Sequence, residues 1–141
     1  MMSDEPKILN GGKAVDDRGS VSFVNEFDFA GVVRFYQVEN HEIGYIRAWH
    51  GHRKEGKYVY VASGAALVGT VHLESEKVSK FVLSADTPKV LWVPPNHANG
   101  FMNLRDNTVI IFFSTATIEE TRGDDIRFAY NKWDIWQKDY R

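Results

Sequence analysis

The sequence predicts an all-β protein built as a sandwich, barrel or jelly roll. Short β-branched and aromatic runs recur along the chain, separated by Gly, Asn, Asp and Pro. They number about eight at roughly ten-residue spacing, the rhythm of closed or doubled antiparallel sheets. No stretch carries the apolar period of a long amphipathic helix. In chain order the strands are expected near Val21–Val24, Val32–Val38, Ile43–His50 and Tyr58–Ala62, then near Ala66–Leu73, Val78–Leu83, Lys89–Val93 and Val109–Thr115. Between them, Ser63-Gly64 and Ser84-Ala85-Asp86-Thr87-Pro88 carry turn chemistry, and Glu74-Ser75-Glu76-Lys77 reads as a hairpin tip. The tail from Asp124 to Arg141 holds Phe128, Tyr130, Trp133, Trp136 and Tyr140, so it is expected to pack on the body of the protein.

At 141 residues, one domain spanning 1–141 is expected. A hydrophobic content of 43% and a charged content of 26% are ordinary for a globular chain. The net charge of −2, with Lys and Arg dispersed, gives no reason to expect nucleic acid or an acidic membrane as a partner. The absence of cysteine excludes disulfides, thiolate metal sites and a cysteine nucleophile. The polar, acidic start is unlike a signal peptide, and Val109-Ile110-Ile111-Phe112-Phe113 is too short to span a bilayer. A cytoplasmic location is expected.

Chemistry concentrates in Arg47-Ala48-Trp49-His50-Gly51-His52 and the strand-like Lys57-Tyr58-Val59-Tyr60-Val61. Histidines two apart on a strand share a face. An arginine, two imidazoles and an ammonium group suit proton abstraction beside a carbonyl on an anionic substrate. Alternation puts Arg47 opposite His50, so both reach one site only through a bend or bulge. The same His-x-His pair also raises the metal-binding cupin, which adds an acidic residue and a third histidine from a distant turn. Here Glu55 comes early, and the turn Pro94-Pro95-Asn96-His97-Ala98-Asn99-Gly100-Phe101 has Asn99 where the third histidine would stand. An amide is a poor replacement for imidazole at a transition metal, so a site without metal is favoured.

These residues resemble the RmlC-like cupins that act on nucleotide-linked 4-keto-6-deoxy sugars, from Asp17 to about Trp136. Asp17-Arg18-Gly19, Arg47-Ala48-Trp49-His50, Gly56-Lys57-Tyr58-Val59 and Leu91-Trp92-Val93-Pro94-Pro95 through Phe101 are similar to segments of dTDP-4-dehydrorhamnose 3,5-epimerases. Arg47 through His52, with both histidines, and Tyr36 in Arg34-Phe35-Tyr36 are similar to dTDP-sugar 3,4-ketoisomerases. The chain departs from the epimerases at Asn99, where they have histidine, and at Phe112, where they have the catalytic tyrosine. It has no clear equivalent of the aspartate that partners their base. Tyr130 falls near that position, and Asp134 is a stand-in.

The resemblance implies an all-β cupin jelly roll (double-stranded β-helix barrel), a homodimer paired through N-terminal strands, and a dTDP-linked sugar as substrate. It implies His50 as base, His52 as the second candidate, and Lys57 beside the substrate carbonyl. Tyr36 is the candidate second acid. Arg18 and Arg47 would bind the nucleotide or diphosphate, and Asn99 and His97 would line the substrate pocket. No cofactor and no metal are expected. The function implied is isomerisation, by 3,5-epimerisation or 3,4-ketoisomerisation, in cell-surface glycan synthesis. A non-catalytic sugar-nucleotide or carbohydrate-binding cupin and a metal-dependent cupin enzyme are the alternatives.

Overall fold

The named strands all pair antiparallel, and their order places a cavity lined by charged and aromatic side chains beside the apolar core. The structure is a computed structural model, and it describes residues 3–141. The elements are β1 (Lys7–Asn10), β2 (Gly12–Asp16), β3 (Gly19–Phe23), β4 (Arg34–Glu39), β5 (Ile46–His52), β6 (Lys57–Ser63) and β7 (Ala65–His72). They continue with β8 (Val78–Ser84), β9 (Lys89–Val93), β10 (His97–Asn103), β11 (Val109–Ser114), α1 (Ile118–Arg122) and β12 (Ile126–Arg127). One sheet runs β1-β9-β6-β11-β4, a second runs β12-β5-β10-β7-β8, and β2 and β3 form a separate hairpin.

The two large sheets face each other across one core, as the jelly-roll expectation requires. Val59, Leu91, Ile110 and Phe112 come from the first sheet and Val68, Leu83 and Phe101 from the second, and all are buried. Removing this apolar surface from water is the main stabilising term of such a fold. The predicted turns sit where expected. Gly64 joins β6 to β7 at a φ of 76°, and Glu74–Lys77 closes the β7–β8 hairpin.

The largest difference from the sequence reading is β10, which was expected to be a turn and is an interior strand. Its Asn and Gly content is unfavourable for strands. Pairing with β5 on one side and β7 on the other overrides that preference. Strands β1, β2 and β12 were also not expected. Among the described residues the only helix is the five-residue α1, started by a Thr117–Glu120 capping box.

The outer faces differ. Over β5, β10 and β7, the tail packs Phe128, Trp133 and Trp136 against Trp49, Val71 and Ala98. The Tyr130 carbonyl accepts from the Trp49 and Trp136 indoles at 3.1 and 2.9 Å. Tyr140, counted in the same aromatic group, is exposed. Over the first sheet, Tyr58 and Trp92 pack with Phe27 and Phe113, but Phe29, Val33 and Phe35 remain exposed.

Candidate active site

Register decides which residues face inward. His50 lies opposite Asn99 and His52 opposite His97, while β7 places Thr70 and His72 opposite the same two β10 residues. Directly paired residues share a face, and Phe101 and Val68, farther along it, belong to the core. His50 and His52 therefore point inward, and Trp49, just before His50, points out into the tail cluster. Between the pairs Arg47–Phe101 and His50–Asn99, β5 has one residue more than β10. This bulge returns Arg47 to the inner face. Gly100 lies against it: a Cβ there would come 2.5 Å from the Ala48 Cβ, so only glycine fits.

Arg47, His50, His52, Asn99, Lys57 and Tyr36 line one cavity of about 430 Å³. Lys57 stands in the interior of its sheet, because β6 is the middle strand. Two expected residues are elsewhere. Arg18 is on the β2–β3 hairpin, which pairs only with itself; its side chain is exposed and bonded to Asp16. His97 faces a second cavity with Thr70, His72 and Ser79, because β10 and β7 carry it away from the first. Its Nδ1 lies 3.0 Å from the Pro95 carbonyl.

Several lining residues were missed. Arg34 shares the face of Tyr36 on β4, so alternation could have found it. Asp125 and Arg127, at β12, also line the cavity and are bonded at 3.1 Å. Asp125 occupies the neighbourhood expected of Asp134, which instead accepts from Trp136 and Gln137 within the tail. Glu55, weighed in the sequence only as a metal ligand, is buried between the sheets. It accepts hydrogen bonds from Ser114 at 2.7 Å and Thr121 at 2.8 Å. Nothing in the polar run Arg53-Lys54-Glu55 marks that burial.

The two site histidines stand neutral. Burial first, then the positive charges of Arg127 and Lys57, push the His50 pKa down to about 4, with Asp125 opposing. Burial and Lys57 also lower His52. His52 Nδ1 lies 2.5 Å from the Asp124 carbonyl, which can only accept. The proton is thus on Nδ1, and Nε2 carries a lone pair, buried and without a partner. The Asp124 carboxylate in turn accepts the backbone N–H groups of Arg53, Lys54 and Glu55, fixing the loop after His52. Burial lowers Lys57 while Glu55 raises it. Burial, then the Glu55 charge, raises Tyr36, so its phenol keeps its proton. Tyr36 stacks on Phe112 with ring centroids 4.9 Å apart. Among the described residues no three His, Cys, Asp or Glu side chains converge as a metal site.

This arrangement can remove a carbon-bound proton with a neutral imidazole, hold an oxyanion at an ammonium group, and bind an anion with arginines. A sequence profile described as dTDP-4-dehydrorhamnose 3,5-epimerase matches residues 8–139. The chain belongs to the dTDP-4-dehydrorhamnose 3,5-epimerase family. No curated protein matches it. Solved structures of this fold include a dTDP-4-dehydrorhamnose 3,5-epimerase from Sulfolobus tokodaii, 23% identical with a TM-score of 0.77, where the match covers 92% of this chain and 81% of that one. The epimerase from Bacillus anthracis, with TDP and PPi bound, is 21% identical at a TM-score of 0.77, covering 93% and 82%. The sugar 3,4-ketoisomerase QdtA from Thermoanaerobacterium thermosaccharolyticum, in complex with TDP, is 16% identical at 0.70, covering 96% and 93%. The RmlC-like cupin jelly roll expected from the sequence is therefore the fold of this chain. Phe112 and Asn99, where the sequence departs from the pattern it resembles, both line the cavity.

Proposed function

We propose that this protein is a metal-independent isomerase of a dTDP-linked 4-keto-6-deoxy sugar, acting as one cupin domain in the cytoplasm and supplying cell-surface glycan synthesis. The observation that carries the reading is a neutral His50 and a neutral, cavity-facing His52 side by side, opposite Lys57 and flanked by Arg47 and Arg127. The arginines would pair with the diphosphate, with bidentate geometry available.

His50 would take the proton from the carbon next to the ketone, and Lys57 would stabilise the enolate oxygen that forms. Transfer of a proton to that oxygen gives an ene-diol. In ketoisomerisation the neighbouring carbon is then protonated and the adjacent hydroxyl loses its proton to become the new ketone. A second histidine on the same strand suits that relay, and Phe112 offers no acid, so ketoisomerisation is favoured. Epimerisation is the second reading. It needs a donor across the cavity from His50, and the protonated Tyr36 phenol on β4 is the available one.

A homodimer through the first sheet and hairpin is supported by exposed Val15, Val21, Phe29 and Phe35. Arg18 lies outside its own cavity, so the nucleotide contact implied for it requires a second protomer. The deciding experiment is NMR of dTDP-4-keto-6-deoxyglucose with the protein in heavy water. A C3-ketone product supports ketoisomerisation, and deuterium at C3 and C5 supports epimerisation. Binding with neither would replace both with the binding-protein reading.

A further inference from the structure

Glu55 is the one acid wholly enclosed beside the cavity, and no step above uses it. Its side chain is 0% exposed. The backbone delivers it inward because Gly56 follows: a Cβ on Gly56 would lie 2.3 Å from the Trp92 ring, so the chain passes tightly there. The carboxylate oxygens then meet groups from several elements. Oε2 accepts from Ser114 of β11 and lies 3.6 Å from Arg34 of β4 and 4.0 Å from Lys57 of β6. Oε1 accepts from Thr121 of α1 and lies 3.6 Å from His52 Nδ1 of β5. Arg34 donates to the Thr121 hydroxyl at 3.0 Å, so its charge is already engaged through a relay.

Lys57 has no such hydrogen-bonded partner. Its Nζ sits over the Tyr36 ring at 5.7 Å and the Phe112 ring at 5.8 Å, against apolar surface that solvates an ammonium ion poorly. The other charged or titratable groups around it are Arg34, His50, His52, Asp125 and Arg127. Arg34 and Arg127 disfavour a further positive charge there, while Glu55 and then Asp125 favour it. Glu55 is also the nearest, and it is shielded from water.

We propose that Glu55 is the positioning residue of this site, whose buried carboxylate holds Lys57 as an ammonium ion directed at the substrate carbonyl. This rests on the isomerase reading for its catalytic meaning but not for its physical content. Without the carboxylate, Lys57 loses its proton in the apolar pocket and can no longer stabilise an enolate oxygen. Glu55 would also serve as a staple for Ser114 and Thr121, and the test must separate that role.

Glu55→Gln keeps the volume and an accepting oxygen but removes the charge. In uniformly ¹³C-labelled protein the Lys57 Cε resonance, assigned by its loss in Lys57→Arg, reports the ammonium titration directly. The midpoint is expected to fall by about one pH unit or more in Glu55→Gln, as loss of a neighbouring opposite charge requires. The alkaline limb of kcat should move down by the same amount, with KM changed less than about threefold and kcat about tenfold or more lower. Glu55→Asp, which keeps the charge one carbon farther away, should recover part of both shifts and serves if Glu55→Gln does not fold. An unmoved Lys57 midpoint in either folded variant overturns the proposal, as does a lower kcat with an unmoved alkaline limb. If the wild-type protein binds dTDP-sugars without turnover, the isomerase reading fails and the Lys57 titration still decides this one.

Discussion

Two pairs of histidines lie on the inner face of one sheet, and only one pair shares a cavity with several arginines and a lysine. His72 and His97 meet edge to face with ring centroids 5.0 Å apart. His72 Nδ1 is held by the N–H groups of Glu74 and Ser75, and His97 Nδ1 lies against the Pro95 carbonyl. Their neighbours are Thr70, Ser79, Lys77 and the acidic N-terminal Asp4 and Glu5. His50 and His52 sit across the sheet among Arg47, Arg127 and Lys57, beside a cavity walled by aromatic rings. Cations near an imidazole keep it neutral and able to accept a proton, and they also attract an anionic substrate. Residue type is the same in both pairs, so the surroundings make the difference.

The sharpest way to break this comparison is to remove one member of each pair. His50→Asn should lower kcat about a thousandfold, as loss of a general base does, while His97→Asn should leave kcat within about twofold. Equal losses, measured by turnover of the dTDP-sugar, would mean that the pairs do not differ. His52→Asn should cost about a hundredfold, with dTDP affinity by calorimetry nearly unchanged. A large loss of affinity instead would make His52 a binding group.

The pH dependence gives a smaller and more specific effect. The acid limb of kcat/KM should lie near pH 4, where free His50 gains its proton. The kcat limb should lie higher, because bound diphosphate offsets the cations that depress His50. Arg127→Gln should raise the kcat/KM limb by about half a unit or more, since Arg127 is one of the groups that lower His50. The smallest effect is on stability. The folded His50 pKa is below the unfolded value of ~6.5, so between that value and about 4 the unfolded chain binds more protons. Stability in urea should therefore fall as pH drops through this window, and His50→Asn should flatten that slope.

The inward histidines were legible because strand alternation is local and depends only on backbone geometry. Lys57 was found from its chemistry beside the histidine strand and Tyr36 from its resemblance to relatives, and Arg34 would have followed from Tyr36 by the same alternation. Asp125 and Arg127 were not legible, since a two-residue strand has no periodicity to detect. The reading of β10 as a turn failed because its flanking ladders, not its own residues, make it a strand. His97, expected to line the same pocket as His50, lines a second cavity instead. Arg47 was correctly tied to a bulge, and the register shift supplies it.

The sequence alone determined an all-β chain and a His-x-His pair on one strand face, because these follow from period-two patterning and residue identity, while the jelly roll was implied by the family resemblance. Only tertiary structure decided which histidines share a site with the cations, that β6 is a central strand, and that Glu55 is enclosed beside Lys57. Those facts depend on contacts between residues far apart in the chain, such as Glu55 with Ser114 and Thr121. Burial and electrostatic environment arise when the sheets close over one another, and no local pattern encodes them.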